Sequence, residues 1–354
     1  MKTVFHLITT IERGGAENQL LILVREQVSH GLDVRVAFLK GDPELESDLI
    51  SVGATVHSEL AGHSPLIQIF IFRKLISGRD VIVHSHLPRA ELVAGFTPAK
   101  FKFITSRHNS EPFFPGAPRF ISNTLARLVE FRATKVIAIS EAVREFLLSR
   151  GEVKSDKKIE VVHYGYQPLV ERNKIRSKAI SKDQHIGTIS RLADQKDIPT
   201  MLQAFANFKL ENQSATLSIL GSGQLDEELR KISKSLSIED SVKFRGRSSK
   251  VIEFLQSLDV FILTSKYEGF GMVLLEAMDA GIPIVASKNS AIPEVLGSDF
   301  PGLCETGNAN DFAAKLKFLQ NVSDRGRILE IQEQRLKIFS AEIMNEKMNG
   351  VYFN

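Results

Sequence analysis

Two carboxylates and two glycines stand close together in the segment EGFGMVLLEAM, which begins at Glu268. Gly269 and Gly271 let the backbone approach a ligand closely, and a helix predicted to begin near Met272 would point free amide groups at an anion. Glu276 lies about one turn inside that helix, so both carboxylates can reach one ligand. Such a pair suits a polyhydroxylated ligand. The alternative is an ordinary loop and helix with two solvated carboxylates.

Two basic residues follow the first strand predicted in the second half of the chain. Arg191 and Lys196 come directly after the strand Ile186–Ser190, where ligands of open α/β sheets bind. A bidentate guanidinium and a point-charge ammonium together suit a diphosphate, although basic residues in such loops are often only solvated. Pro199 is expected at an early helix position, and Asp197 is expected to cap that helix.

Two glycine-rich turns offer weaker signals. Gly14 and Gly15 follow the first predicted strand and open a helix, but they match neither the dinucleotide fingerprint nor the P-loop. Gly221 and Gly223 resemble the start of a dinucleotide fingerprint, yet Asp226 stands at its third glycine position. We therefore interpret that second pair as a turn.

Three histidines lie at the ends of two neighbouring predicted strands: His84, His86 and His108. His86 and His108 fall at strand ends, whereas His84 is interpreted as structural. A metal on His86 and His108 is a minor alternative, because no third ligand has suitable spacing and the sequence has no Asp-x-Asp pair. We therefore expect no metal, and charge neutralisation by cations and helix termini.

Composition limits the class of protein. A length of 354 residues favours two domains, and 43% hydrophobic with 25% charged residues is typical of a globular protein. The single cysteine, Cys304, excludes a disulfide framework and fits a reducing, cytoplasmic setting. The apolar run Leu66–Phe72 is too short to span a bilayer. A net charge of +3, without a recognisable nucleic-acid-binding module, predicts no nucleic-acid partner.

Short β-branched runs alternate with helical patterns, which predicts an α/β protein with parallel sheets. One such helical pattern ends at His30–Gly31. The predicted strands are Lys2–Thr9, Val34–Leu39, Ala54–His57, Val81–His84, Phe101–Ser106, Val136–Ile139, Glu160–His163, Ile186–Ser190, Thr216–Leu220, Val242–Arg245, Val260–Leu263, Pro283–Ala286 and Gly302–Cys304.

The domain division is predicted in the polar stretch Gln167–Asp183. This gives an N-terminal domain over residues 1–168, a C-terminal domain over 169–335 and a final helix over 336–354 that crosses back to the first domain. Between Lys100 and Lys158, twelve Lys and Arg stand against six Asp and Glu, with phenylalanines interleaved. That stretch suggests an anionic membrane surface as a partner, the alternative being core phenylalanines beside a solvated face.

Taken together, these motifs resemble family 4 retaining glycosyltransferases of the GT-B fold. The N-terminal glycine pair, His108, the basic pair spaced by five, and the E-x7-E block carry the resemblance through nearly the whole chain. It implies two Rossmann-like domains whose parallel sheets face a central cleft. The nucleotide-sugar donor would be held mainly by the C-terminal domain, and the saccharide or lipid-linked acceptor mainly by the N-terminal one.

The resemblance also implies a role for each matching residue. Arg191 and Lys196 would bind the diphosphate leaving group, and Glu276 the ribose hydroxyls. The remaining assignments are Glu268 with Gly269, Phe270 and Gly271 on the donor sugar, His108 near its reacting carbon, Gly14 and Gly15 over the phosphates, and His86 on the acceptor side. The catalytic set is then His108, Glu268, Arg191 and Lys196.

The chain departs from the family pattern at two places. Ser190 and Asp197 replace glycines that often flank the basic pair, and Tyr164 begins an unusual turn, Tyr-Gly-Tyr-Gln, at the domain junction. The predicted function is a metal-independent hexosyltransferase of cell-surface polysaccharide or lipopolysaccharide-type biosynthesis. The expected location is the cytoplasm, with a peripheral position at the inner face of the cell membrane as a further hypothesis. A nucleotide-sugar epimerase or hydrolase, and a non-catalytic sugar-nucleotide-binding subunit, remain the alternatives.

Overall fold

The computed structural model describes residues 3–169, 183–248 and 250–354. The chain divides into two compact units. Unit 1 comprises Met1–Gln167 together with Phe339–Asn354, and unit 2 comprises Pro168–Ile338. The predicted linker, Gln167–Asp183, lies outside the described residues from 170 to 182.

Unit 1 contains a parallel sheet of seven strands in the order β3-β2-β1-β4-β5-β6-β7. Its central strands are buried on both faces, as expected of a parallel sheet that is covered by helices. The strands are β1 (Thr3–Ile8), β2 (Asp33–Phe38), β3 (Thr55–His57), β4 (Val81–His86), β5 (Lys102–Arg107), β6 (Lys135–Ala138) and β7 (Ile159–Val161).

Helices of unit 1 follow its strands. They are α1 (Gly15–Ser29), α2 (Glu46–Ser51), α3 (Pro65–Ile76), α4 (Pro88–Phe96), α5 (Arg119–Arg132) and α6 (Glu141–Arg150), with a short 3-10 helix at Asp156–Lys158. Helix α1 ends at the predicted place, where His30 caps it and Gly31 takes a φ of +82°.

Unit 2 contains a parallel sheet of six strands in the order β10-β9-β8-β11-β12-β13. The strands are β8 (His185–Ile189), β9 (Thr216–Leu220), β10 (Val242–Gly246), β11 (Val260–Leu263), β12 (Ile284–Ser287) and β13 (Leu303–Cys304). The helices are α7 (Ile198–Lys209), α8 (Asp226–Ser235), α9 (Val251–Ser257), α10 (Met272–Asp279), α11 (Ile292–Leu296), α12 (Ala309–Phe318) and α13 (Val322–Ile338), with 3-10 helices at Asp194–Lys196 and Glu239–Ser241.

The predicted α/β class with two parallel sheets is confirmed. Each of the thirteen predicted strands has a counterpart among the described residues, with ends shifted by at most two residues. The sequence prediction ended β4 at His84, whereas the strand continues to His86 because Ser85 and His86 keep parallel partners on β1 and β5. Polar residues inside a buried strand concealed its true end.

The C-terminal segment is not one continuous helix over 336–354. Helix α13 ends at Ile338 within unit 2, and α14 (Ala341–Phe353) packs on α1 within unit 1. Ser340 caps α14 by accepting a hydrogen bond from the Ile343 amide. None of the helices formed by the described residues is long and apolar enough to cross a membrane.

Candidate functional site

The basic motif and the acidic motif of unit 2 meet at the carboxyl ends of β8 and β11. These strands are neighbours, and the strand order reverses between them because β9 lies on the other side of β8. Such a switch point leaves a crevice in which open α/β sheets bind ligands. The loop with Arg191 and Lys196 follows β8, and the loop with Glu268 follows β11.

Lys196 and Glu268 form an ion pair across this crevice. Lys196 Nζ lies 2.6 Å from Glu268 Oε1, and the Ser265 hydroxyl donates to the same oxygen at 2.6 Å. The Glu268 side chain is 8% exposed and that of Lys196 13%. The two predicted site residues are therefore direct partners, and their charges balance where water is mostly excluded.

Backbone hydrogen bonds hold the two loops together. The Lys266 amide donates to the Gln195 carbonyl at 2.8 Å, and the Gln195 side-chain amide donates to the Tyr267 carbonyl at 2.9 Å. Arg191 is exposed and donates to Gln195 Oε1 at 3.1 Å. One hydrogen bond thus holds the exposed guanidinium, which has five N–H donors in all.

Gly221 and Gly223 form the turn that the sequence predicted, but the turn also serves this site. A Cβ atom on Gly221 would collide with the Ser190 carbonyl oxygen, and one on Gly223 would collide with the Leu192 carbonyl. Gly221 has a φ of +144°, which other residues rarely adopt. The pair therefore allows the β9 turn to lie directly against the loop that carries Arg191.

Helix α10 begins at Met272, as predicted, after Gly271 with a φ of +93°. The Phe270 ring is buried, so this residue can reach a ligand only through its backbone. Burial raises the pKa of Glu276. Within the described parts of the chain, no hydrogen bond or ion pair involves the Glu276 carboxyl group, which leaves it open to a ligand hydroxyl.

The expectation that Asp197 caps helix α7 through its side chain is wrong. Asp197 occupies the N-cap position with a left-handed φ of +47°, but its carboxylate makes no backbone capping bond. It accepts instead from the Thr200 hydroxyl at 2.7 Å. The carboxylate is therefore engaged by a side-chain hydroxyl and not by a backbone amide of the helix. Pro199 occupies an early helix position, as predicted.

Unit 1 has its own switch point, between β1 and β4. Gly14 caps α1 with extended backbone, and a Cβ atom there would collide with the Glu17 carboxylate. A Cβ on Gly15 would meet nothing within 4 Å. Burial raises the pKa of Glu17, and Glu12 raises it further. A side chain at Gly14 would therefore displace the Glu17 carboxylate, whereas Gly15 leaves open space at the helix N-terminus.

The three predicted histidines occupy one connected cluster. His84 is buried, and its ring nitrogens bond the Tyr352 hydroxyl and the Ser106 hydroxyl, both at 2.7 Å, which confirms its structural interpretation. His86 is also buried, between His6 at 3.0 Å and His108 at 3.1 Å. Since both ring nitrogens of His86 are occupied, the geometry does not support a direct contact between His86 and an acceptor.

His108 is the outermost of these histidines. Its Nε2 faces His86, and its Nδ1 lies 2.6 Å from the hydroxyl of Tyr164, whose ring stacks on the imidazole. Burial and the adjacent Arg107 lower the pKa of His108 to about 3. His108 is therefore neutral and is aligned by two partners.

Sequence reasoning missed four members of this cluster: His6, Gln27, Tyr164 and Tyr352. The signal for His6 lay in strand register, because His6 on β1 stands beside His84 on β4 and alternate residues share one face. Gln27 on α1 and Tyr352 on α14 gave no such signal, since helix packing brings them in from distant segments.

Nitrogen atoms of His6, His84 and His86 lie within 4.8 Å of one another, which is close enough to hold a metal ion. Each of their six ring nitrogens already has a hydrogen-bond partner. An ion would have to break several of these bonds. We therefore interpret the cluster as a hydrogen-bonded chain, and the absence of a metal requirement stays a prediction.

A buried charge cluster lies beneath His108. Arg107 donates to Glu152, which is fully buried, and also lies 3.9 Å from Glu91. Burial raises the pKa of Glu91 to about 7, with a smaller rise from the Glu152 carboxylate, although Arg107 and the Thr105 hydroxyl lower it. Near neutral pH, Glu91 is therefore divided between its charged and neutral forms.

Comparison with known proteins gives two family matches that together span nearly the whole chain. The family described as "Glycosyltransferase Family 4" matches residues 13–168, and "Glycosyl transferases group 1" matches residues 170–333. The break between the two matches coincides with the boundary between the first part of unit 1 and unit 2.

Among curated relatives, an N-acetyl-alpha-D-glucosaminyl L-malate synthase of Bacillus anthracis is 30% identical over 65% of this chain and 62% of its own length. The capsular polysaccharide biosynthesis glycosyltransferase CapM of Staphylococcus aureus is 24% identical over 82% of this chain and 80% of its own. Among solved structures, Anabaena HepE in complex with UDP-glucose superposes with a TM-score of 0.80 at 19% identity, covering 99% of this chain and 98% of that one. This structural likeness shows the fold.

Proposed function

Because this chain belongs to the glycosyltransferases matched by the family 4 and group 1 models and has the GT-B fold, we propose that it is a retaining glycosyltransferase. The proposed reaction moves a hexose from a nucleotide-diphosphate donor to a saccharide or lipid-linked saccharide, in the biosynthesis of a cell-surface polysaccharide or lipopolysaccharide. The CapM relative, named for capsular polysaccharide biosynthesis, supports this class of product.

The observation that carries the proposal is the arrangement at the switch point of unit 2. Lys196 and Glu268, 72 residues apart in sequence, meet at the carboxyl ends of adjacent strands. Glu276, on the helix that follows, keeps its carboxyl group free of partners within the described residues. The Lys196 cation suits a diphosphate, and the carboxyl groups of Glu268 and Glu276 suit the hydroxyls of a sugar and a ribose joined to it.

In the proposed reaction, the bond between the anomeric carbon and the diphosphate oxygen breaks, and the acceptor oxygen bonds that carbon on the same face. A phosphate oxygen takes the acceptor proton. Negative charge grows on the leaving diphosphate, where Arg191, Lys196 and the N-terminus of α10 supply fixed positive potential without a metal ion. Lys196 donates one hydrogen bond to Glu268 and keeps two N–H groups for phosphate oxygens.

For Glu268 and Glu276 we propose different ligands. Glu268, already charge-balanced by Lys196, would orient the donor sugar together with the Gly269–Gly271 backbone. Glu276, with a raised pKa and no partner in the described chain, would accept hydrogen bonds from ribose hydroxyls. In unit 1, His108 is assigned to the sugar, and the Gly14–Gly15 turn at the N-terminus of α1 to phosphate oxygens.

The donor is tested by thermal shift against UDP-, GDP-, ADP- and CDP-linked hexoses, with UDP-glucose first because HepE was solved with it. A ligand at 100 times its dissociation constant adds about 2.7 kcal/mol of stability. The donor that stabilises most is then incubated with and without a bacterial glycolipid extract. Transfer only with acceptor supports the proposal, while an altered sugar or free sugar without acceptor indicates an epimerase or hydrolase. Binding without any product indicates a non-catalytic subunit.

We also propose that unit 1 rests on an anionic membrane surface at the cytoplasmic face. Three adjacent helices, α3, α4 and α5, carry exposed apolar side chains, including Leu66 at 80%, Phe120 at 72% and Phe131 at 79% exposure. Basic residues accompany them, and the Lys74 ammonium lies 4.7 Å from the Phe70 ring centre. Of the phenylalanines noted in the sequence, Phe103 and Phe113 belong to the core instead.

Co-sedimentation with phosphatidylglycerol vesicles tests this surface. The double substitution Phe120→Ser/Phe131→Ser should weaken pelleting strongly at physiological salt, because it removes two inserted rings and charge attraction is screened there. Leu210→Ser is the matched control, since Leu210 is 80% exposed on unit 2. Failure of the wild-type chain to pellet, or equal pelleting of the double variant, would refute the membrane proposal without touching the transfer proposal.

A further inference from the structure

The buried histidines of unit 1 belong to one continuous chain of hydrogen bonds. It begins at Tyr164 on the outer side and crosses the carboxyl ends of β5, β4 and β1 before it turns through helices α1 and α14. Its members, in order, are Tyr164, His108, His86, His6, Gln27, Tyr352, His84 and Ser106.

The amide of Gln27 determines where the protons of the inner half lie. Gln27 Oε1 lies 2.8 Å from His6 Nε2, and a carbonyl oxygen can only accept, so His6 carries its proton on Nε2. The other nitrogen of His6, Nδ1, is then an acceptor for His86 Nε2 at 3.0 Å. His86 is fixed in the same tautomer.

The same logic reaches the outer end of the chain. His86 Nδ1 accepts from His108 Nε2 at 3.1 Å, which leaves His108 Nδ1 as the acceptor for the Tyr164 hydroxyl at 2.6 Å. On the other side, Gln27 Nε2 donates to the Tyr352 hydroxyl at 3.2 Å, and that hydroxyl donates to His84 Nδ1. All hydrogen bonds therefore point the same way.

Burial keeps every imidazole of this chain neutral. Burial is the largest cause that lowers the pKa of His6 to about 4, and it also lowers the pKa of His84 and His86 well below the usual value. The charged groups nearest the outer end are Arg107, beside His108, and Glu17, beside Tyr164. Since no imidazole ionises, the protonation of each one can differ only in which of the two ring nitrogens carries the proton.

We propose that Gln27 and Tyr352 are positioning residues that hold His108 in the Nε2–H tautomer, so that Nδ1, the nitrogen that accepts from the Tyr164 hydroxyl, can accept from a sugar hydroxyl of the substrate once the tyrosine is displaced. This inference rests on the proposed function, because it takes His108 to face the sugar. A substrate hydroxyl would replace the Tyr164 hydroxyl at Nδ1, because that nitrogen has a single lone pair. A phosphate oxygen has no proton to donate and would be repelled by the same lone pair.

The cavity beside the chain agrees with a positioning role. It has a volume of about 20 Å³ and is lined by residues that include His84, His86 and Met348. A space of this size holds one water molecule at most, so no sugar fits beside the buried histidines. His108 and Tyr164 also line this cavity, and His108 is less buried than His6, His84 and His86.

Imidazole 15N NMR tests the proton positions without any ligand. In the wild-type chain, the four histidines should show Nε2–H tautomers that do not change between pH 6 and pH 8. Gln27→Met should give mixed tautomers at His6, His86 and His108, because the methionine accepts only weakly. Nδ1–H tautomers in the wild type, or unchanged tautomers in Gln27→Met, would overturn the inference.

Kinetics test the consequence for the reaction, with the nucleotide hexose that the wild type turns over fastest. Gln27→Met should lower kcat about tenfold with KM changed less than threefold, and Tyr352→Phe should give a smaller loss of the same kind. Gln68→Met is the matched control, because Gln68 is equally buried in unit 1 and, among the described residues, its side chain bonds only Leu39, Leu60 and Arg89.

The outcomes separate the two proposals. Unchanged kcat in Gln27→Met, or an equal loss in Gln68→Met, would show that the chain has only a structural role. If the wild type turns over no nucleotide hexose while its NMR tautomers are as expected, the proposed function fails and the proton arrangement stands.

Discussion

The two units repeat one sheet topology but place opposite kinds of polar chemistry at its switch point. In unit 1, β1 and β4 end in a chain of neutral imidazoles with no counter-charge inside the chain. In unit 2, β8 and β11 end in an ion pair of Lys196 and Glu268. The carboxyl ends of the same two strands of this topology can therefore carry either directed hydrogen bonds between neutral groups or a pair of opposite charges.

This difference has an energetic meaning. A neutral chain tolerates complete burial because every nitrogen has a partner, whereas buried charges are stable only as a pair. It also suits the ligands proposed above, because hydroxyl groups are recognised by hydrogen-bond direction and a diphosphate by positive charge. Substitutions and pH should therefore act differently on the two units.

The largest effect is expected from Lys196→Ala. Loss of the cation should lower turnover of the nucleotide sugar by roughly 100- to 1,000-fold, since it removes charge stabilisation of the leaving group. It should also destabilise unit 2 by about 3–5 kcal/mol, because Glu268 is left as an unpaired, nearly buried charge. Turnover and urea unfolding measure the two effects.

Two companion variants separate those effects. Lys196→Ala/Glu268→Gln should recover much of the stability but none of the activity. Glu276→Ala should lower turnover with little change in unfolding, since the Glu276 carboxyl group has no partner within the described residues. Wild-type turnover by folded Lys196→Ala or Glu276→Ala would contradict the site assignment.

Acidification should weaken unit 1 more than unit 2. Eight of the nine histidines lie in unit 1. The pKa of His6 is about 4 in the folded chain and 6.5 when unfolded, so its contribution is full above pH 6.5 and is lost as pH falls towards 4. His6 alone should cost about 2 kcal/mol at pH 5.

Hydrogen exchange resolves the two units in one sample. Between pH 7 and pH 5, and after correction for intrinsic exchange rates, the opening free energy of amides in β1 and β4 should fall much more than that of amides in β8 and β11. Equal losses in both units would contradict the comparison. His6→Gln should reduce the pH dependence of unit 1.

An opposite pH dependence is expected from Glu91. Its pKa is raised to about 7 in the folded chain, so its contribution is full below about pH 4.5 and is lost as pH rises through 7. Relative to the wild type, Glu91→Gln should therefore gain about 2 kcal/mol of stability between pH 5 and pH 8, measured by urea unfolding.

Glu152→Gln is the control for that variant. Glu152 accepts from both Arg107 and the Phe113 amide, so its loss should destabilise unit 1 at both pH values. If Glu91→Gln behaves in the same way as Glu152→Gln, the proton on Glu91 is not the cause.

The smallest effect on folding is expected from Gly15→Ala. A Cβ at this position meets no atom within 4 Å, so stability should change by less than about 0.5 kcal/mol. Any loss of donor affinity in a thermal-shift titration then reports a ligand close to the α1 N-terminus. Gly221→Ala is the contrast in unit 2, since its Cβ would collide with Ser190 and destabilise the chain.

Most of the fold could be predicted from the sequence because buried parallel strands are short apolar runs between helical patterns. The strands Thr216–Leu220 and Val260–Leu263 have the predicted bounds. One error arose at His86, where polar residues continue a buried strand. Another arose at Phe339–Ser340, where a single helical pattern in the sequence covers two helices separated by a turn.

Less of the site could be predicted, because it depends on pairings between distant segments. The types and loops of Arg191, Lys196 and Glu268 were readable, but not the contact between Lys196 and Glu268. The hydrogen-bond chain through Gln27 and Tyr352 could not be predicted at all, since a glutamine and a tyrosine on helices have no chemical signature by themselves.

The discontinuity of unit 1 has a consequence for synthesis. Tyr166 pairs with Phe339 and Ala341, and Tyr352 bonds both Gln27 and His84, so unit 1 needs segments from either side of unit 2. On the ribosome, the first 167 residues emerge long before their last helix does. Until then the imidazoles lack one partner, and unit 2 can complete its own fold first.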